Sequence, residues 1–114
     1  MDIAAEKQRL RAEMRARRDA LTHDEVREAA HVGANALFNP RLMNLFSRFR
    51  GFATYMSIGS EFPTDRIHHA LFSAGASVCV PYYLPEAKEY AWAAFTPNDP
   101  LISGHMRIPE PAYP

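Results

Sequence analysis

The residues best suited to chemistry are basic. Lys7, Arg11, Arg15 and Arg18 follow one another at spacings of four, four and three, which aligns them along one side of a helix. A stripe of that kind holds phosphate groups, and the arginine fork suits bidentate contacts to oxyanions. The same spacing also describes an ordinary solvated helix face, and Glu6, Glu13 and Asp19 partly offset its charge. A second candidate is the segment Met56-Ser57-Ile58-Gly59-Ser60-Glu61-Phe62-Pro63-Thr64. It offers one carboxylate, Glu61, beside the apolar side chains of Met56, Ile58 and Phe62. A carboxylate against apolar walls suits a flat heterocycle carrying N–H donors, although a plain connecting loop has the same composition.

Other reactive side chains form no recognisable set. His23, His31, His68, His69 and His105 show no metal-ligand spacing with Cys79 or with carboxylates. Cys79 sits in an apolar run and reads as a small buried hydrophobe. No glycine-rich phosphate loop and no nucleophile–base–acid set can be assembled. Tyr90, Trp92 and Phe95 fit core packing better than the lining of a pocket.

These residues must be positioned by an α/β framework. Ile3, Leu10, Met14 and Leu21 mark one face of a helix over residues 2 to 20. Thr22 and Glu25 form a capping box that opens a second helix reaching Phe38, with Val26, Ala30, Gly33 and Leu37 inward. Asn39-Pro40 stops it, and residues 41–49 continue as a short helix. Phe52 to Met56 reads as a buried strand. Thr64 or Asp65 caps a further helix that carries Ile67, Leu71 and Phe72 and ends at Gly75. Ala76 to Val80 is a second strand, closed by Pro81, and the strand–helix–strand interval predicts parallel pairing. Tyr90 to Phe95 is a third strand. The run Ile108-Pro109-Glu110-Pro111-Ala112-Tyr113-Pro114 reads as an extended connector. The second candidate segment therefore lies at the carboxyl end of a parallel strand, where open α/β sheets bind ligands.

Bulk properties exclude several classes. At 114 residues the chain is one domain or part of one. Its 47% apolar and 23% charged composition describes a folded globular chain. Thirteen basic and thirteen acidic residues balance, so no global charge favours nucleic acid or an anionic membrane. No apolar run approaches the ~18 residues needed to span a bilayer, and a cytoplasmic location is expected.

In this order, the pieces resemble the 5-formyltetrahydrofolate cyclo-ligase family. Lys7-Gln8-Arg9-Leu10-Arg11 matches its K-x-x-L-R opening, and Arg15, Arg17-Arg18 and Leu21-Thr22 match the continuation. Met56 to Glu61 with Thr64 resembles its strand-end motif; Val80-Pro81, Asp99-Pro100-Leu101 and Ile108-Pro109-Glu110-Pro111 follow in register. Tyr82 stands where many members carry Arg. The resemblance implies a Rossmann-like three-layer fold on a mainly parallel sheet, of which residues 1–114 would be the N-terminal part, with about three strands. It implies ATP-dependent cyclisation of 5-formyltetrahydrofolate to 5,10-methenyltetrahydrofolate, with Mg2+ accompanying the nucleotide. Carried over by position, Lys7, Gln8, Arg9, Leu10 and Arg11 would bind ATP, Lys7 and Arg11 on its phosphates. Met56 and Glu61 would bind the folate. The family's glycine-rich ATP segment belongs to its second half, outside these residues, so a non-catalytic folate-binding or regulatory fragment is the alternative. The only partner implied is a small-molecule folate.

Overall fold

The computed structural model describes residues 2–114. Helix α1 (Ile3–Asp19) begins at Asp2, whose carboxylate accepts the amide of Ala5. Helix α2 (His23–Leu37) carries the full capping box: Thr22 and Glu25 exchange side-chain-to-amide bonds of 3.1 Å. Asn39 then accepts the amides of Arg41 and Leu42 and opens α3 (Pro40–Phe46), with proline in the first turn, where its missing N–H is harmless.

Strand β1 (Gly51–Ala53) leads through a long loop into α4 (Asp65–Ser73) and back into β2 (Ser77–Leu84). The two strands pair in parallel, Phe52 opposite Val78, as the crossover predicts. Strand β3 (Glu89–Phe95) pairs with β2 in the opposite sense, Val80 opposite Ala93. Only four residues join them, and a connection that short can make only an antiparallel hairpin. The three-stranded sheet, ordered β1-β2-β3, is therefore mixed, where the sequence leads to a mainly parallel one.

Strand β2 also runs through Pro81 rather than closing there. Alternate amides of β2 face the β1 side, as Ser77 does toward Arg50 O at 2.8 Å. Pro81 shares that parity, and β1 pairing has ended at Cys79, so its missing donor falls where no strand needs it. The C-terminal run is not a plain connector either. Strands β4 (Leu101–Ser103) and β5 (Pro109–Pro111) form a second, antiparallel sheet. Ala112 donates to Pro100 O and Ile108 accepts from Gly104, so even-numbered residues of β5 face β4. Pro109 and Pro111 turn their missing N–H groups the other way.

The core lies on one face of the large sheet. Leu71, Val78, Val80 and Phe95 are buried together, with Phe38, Phe52, Met56, Ile67, Phe72 and Ala76 around them. Helix α4 packs on β2 and α2 packs on α4. Helix α1 behaves differently. Its expected inward face is open, with Ile3 65%, Leu10 45% and Met14 50% exposed, and none of its residues is buried. Two features thus depart from N-terminal helices packed on a three-layer sheet: the apolar face of α1 is not covered, and β3 runs antiparallel. No helix among the described residues is long and apolar enough to cross a membrane.

Candidate functional site

The loop from β1 to α4 is held at both ends by its own side chains. Thr54 extends the ladder by donating its amide to Cys79 O at 2.9 Å. Its hydroxyl lies 2.6 Å from His68 Nε2 on α4. Thr64, only 2% exposed, donates its hydroxyl to Tyr55 O at 2.8 Å and its amide to Ser57 Oγ at 3.3 Å. The hydroxyl expected to cap α4 is thus spent on closing the loop, and no side chain caps that helix. Tyr55 donates its phenol to Phe62 O at 3.1 Å. The Phe62 ring lies against Gly33 of α2, where a Cβ would come within 2.7 Å of it.

Within the loop, Ile58 and Glu61 close a tight turn. The Glu61 amide donates to Ile58 O at 3.1 Å, and Glu61 Oε1 accepts the Ile58 amide at 2.9 Å. Gly59, at φ +54, supplies the one left-handed residue that the turn requires. The second carboxylate oxygen of Glu61 is left for other contacts. These bonds preorganise the loop, so a ligand that docks on it orders little further chain.

Glu61 stands between two cavities. The larger, about 480 Å³, is lined by Tyr55, Met56, Glu61, Pro81, Tyr90, Ala91, Trp92 and Ile108. Met56 and Glu61 therefore meet at one site, at the carboxyl end of β1. Tyr90 and Trp92 belong to this lining and are exposed, while Phe95 alone of the three joins the core. The core assignment of Tyr90 and Trp92 is corrected by strand alternation: Ala93 and Phe95 face α4, which turns Trp92 and Tyr90 to the opposite face. The Tyr55 phenol is held above its usual range, first by burial and then by the negative charge of Glu61, with Arg18 opposing. It therefore stays a hydrogen-bond donor at neutral pH.

The smaller cavity, about 230 Å³, is lined by Arg15, Arg18, Asp19, Ile58, Gly59, Ser60 and Glu61. The basic stripe of α1 thus reaches the acidic turn through its Arg15 and Arg18 end. Lys7, Gln8, Arg9, Leu10 and Arg11 are exposed and line neither cavity. At 1.5 Å per residue, Lys7 lies about 12 Å along the helix from Arg15. Arg9 is held by Glu6 at 2.6 Å and Glu13 at 3.1 Å, and the Glu6 carboxyl is pulled below its ordinary value by that partner. Among the described residues no three His, Cys, Asp or Glu side chains converge on a metal position. The described residues thus offer no side-chain set that fits a resident metal; Mg2+ would be held there by the phosphates of a bound nucleotide.

An apolar cleft with aromatic walls, one fixed carboxylate and an arginine-lined recess next to it make a candidate small-molecule site on an α/β framework. The chain belongs to the 5-formyltetrahydrofolate cyclo-ligase family, whose family model matches residues 3–114. It is thereby grouped with ligases of folate chemistry. No curated protein matches the chain.

Proposed function

We propose that this chain acts in the ATP-dependent cyclisation of 5-formyltetrahydrofolate to 5,10-methenyltetrahydrofolate, with ADP and phosphate released, as the N-terminal part of a Rossmann-like cytoplasmic enzyme. The observation that carries this reading is the shared cavity of Met56 and Glu61, walled by Tyr55, Tyr90 and Trp92. Its aromatic sides match a flat pteridine. The Glu61 oxygen not engaged by Ile58 is an acceptor for the ring's N–H groups.

When bound, the nucleotide supplies the phosphoryl group that makes the formyl oxygen a leaving group. The chain's own contribution is positional and electrostatic. Met56 and the aromatic walls hold the ring and exclude water, while Glu61 orients it. Lys7, Gln8, Arg9, Leu10 and Arg11 form the nucleotide-binding segment, Lys7 and Arg11 meeting the phosphates. A second reading, folate binding without catalysis, is favoured by one observation: Lys7 and Arg11 stand outside the cavity that holds Met56 and Glu61.

The test uses Trp92, the chain's one tryptophan. Titration with 5-formyltetrahydrofolate should quench its fluorescence to saturation, and addition of MgATP should raise the absorbance of the methenyl product. Quenching without product selects the second reading. No quenching overturns both.

A further inference from the structure

We propose that the recess between α1 and the Ile58–Glu61 turn is a subsite for a phosphoryl group, gripped by Arg15 and Arg18. Its geometry stands by itself, while its place beside a folate cavity rests on the reading above.

Helix α1 carries two kinds of arginine. Arg9 and Arg17 are paired, with Glu6 and Glu13 and with Glu13 at 2.6 Å respectively. Among the described residues, Arg15 and Arg18 have no ion pair and no side-chain hydrogen bond, and both line the recess. Arg18 Nε is buried with no acceptor at all. That Nε is enclosed, whereas the terminal nitrogens of Arg18 have no partner and are not enclosed, so they are the donors an entering oxyanion can reach.

The facing wall complements it. Gly59 and Ser60 line the recess, and within the described residues neither amide N–H has a hydrogen-bond acceptor. The Ser60 hydroxyl adds a further group. Donors therefore come from a helix on one side and a turn on the other. That spread suits a tetrahedral anion with several oxygens better than a planar carboxylate. Asp19 and Glu61 share the recess, so the site is selective for an anion that engages the arginine forks and the turn amides together. Because Glu61 lines both cavities, a phosphoryl group here lies next to whatever fills the aromatic cleft.

The experiment is an amide and Arg-Nε proton–nitrogen NMR titration of the chain with inorganic phosphate at constant pH and ionic strength. Saturable shifts are expected at Gly59, Ser60 and Arg18 Nε. The double variant Arg15→Gln/Arg18→Gln should weaken binding about tenfold or more, since two charge-assisted contacts are lost. Arg17→Gln, which removes only a surface pair, should leave it unchanged. Absence of saturable shifts, equal shifts with chloride, or retained affinity in the double variant would overturn the proposal. Tighter binding of glutarate than of phosphate would overturn it in favour of a carboxylate subsite. Trp92 quenching by 5-formyltetrahydrofolate reports the neighbouring cavity. Quenching without phosphate shifts rejects this subsite alone, whereas phosphate shifts without quenching reject the folate reading alone.

Discussion

The hydroxyl of Thr54 lies 2.6 Å from Nε2 of His68, and this bond joins the end of β1 to the middle of α4 under the candidate site. His68 is 5% exposed and packs edge-on against Phe95, ring centroids 5.3 Å apart. Burial lowers the affinity of its imidazole for a proton below the ordinary value of 6.5, with the Asp65 carboxylate opposing in part. The neutral ring is thus the one the fold prefers. Protonation favours the unfolded chain, so the stability contributed by His68 is complete above pH 6.5 and is lost as pH falls below it. Urea midpoints measured from pH 7.5 downward should decline beneath that value, and His68→Gln should flatten this part of the curve. An equally steep decline in the variant would assign the effect to other groups.

Thr64 closes the loop that presents Glu61. In Thr64→Val the shape is kept but Tyr55 O loses its buried donor, at a cost of about 1–3 kcal/mol. Folding stability should fall by that amount. Affinity for 5-formyltetrahydrofolate, read from Trp92, should fall as well because the loop is no longer preorganised. Weakened stability with undiminished affinity would show that the loop's bonds do not shape the cleft.

Glu61 and Lys7 are expected to separate the two ligands. Glu61→Gln keeps the side chain's length but removes its charge, and should weaken folate binding by about tenfold, the cost of a charge-assisted hydrogen bond. Lys7→Ala, distant from the aromatic cleft, should leave Trp92 quenching unchanged while raising the Michaelis constant for ATP. Kinetics of the methenyl-forming reaction check both; equal effects of Lys7→Ala on the two ligands would return Lys7 to a solvated surface role.

Glu110 bridges the two sheets by accepting the Tyr83 amide at 3.0 Å. It can do so because Gly104 has no Cβ, which would collide with the Glu110 carboxylate. Gly104→Ala should push that carboxylate aside, cost about 1 kcal/mol, and speed hydrogen exchange at Tyr83. Unchanged exchange at Tyr83 would mean the carboxylate finds another route.

Much of this architecture is legible locally. The Thr22–Glu25 box, Asn39-Pro40 and Gly75 announce helix ends through bonds confined to three or four residues. The parallel β1–β2 pairing follows from the helix between them. What local pattern hides depends on neighbours. Pro81 looks like a stop because nothing in the sequence says that β1 has already ended beside it. Pro109 and Pro111 look like a connector because their alternation makes sense only against β4. The stripe of Ile3, Leu10 and Met14 forecasts an apolar face but not its partner, and here that face stands open. Met56 and Glu61 were recognisable together because both lie in one short loop. The Arg15–Arg18 recess needed the fold, since the sequence cannot say which end of a basic stripe meets a turn some forty residues away.

Pro109 and Pro111 point their donor-less nitrogens away from β4, which prevents β5 from knitting into the larger sheet through a continuous ladder. Glu110 crosses that seam with one carboxylate bond. The cleft is consequently bounded on one side by the rigid floor of β2 and β3, and on the other by Ile108 at the foot of a separate ribbon. His105 stacks on Tyr83 across the same seam, ring centroids 3.8 Å apart, so side-chain contacts rather than a backbone ladder set the gap between Ile108 and Trp92.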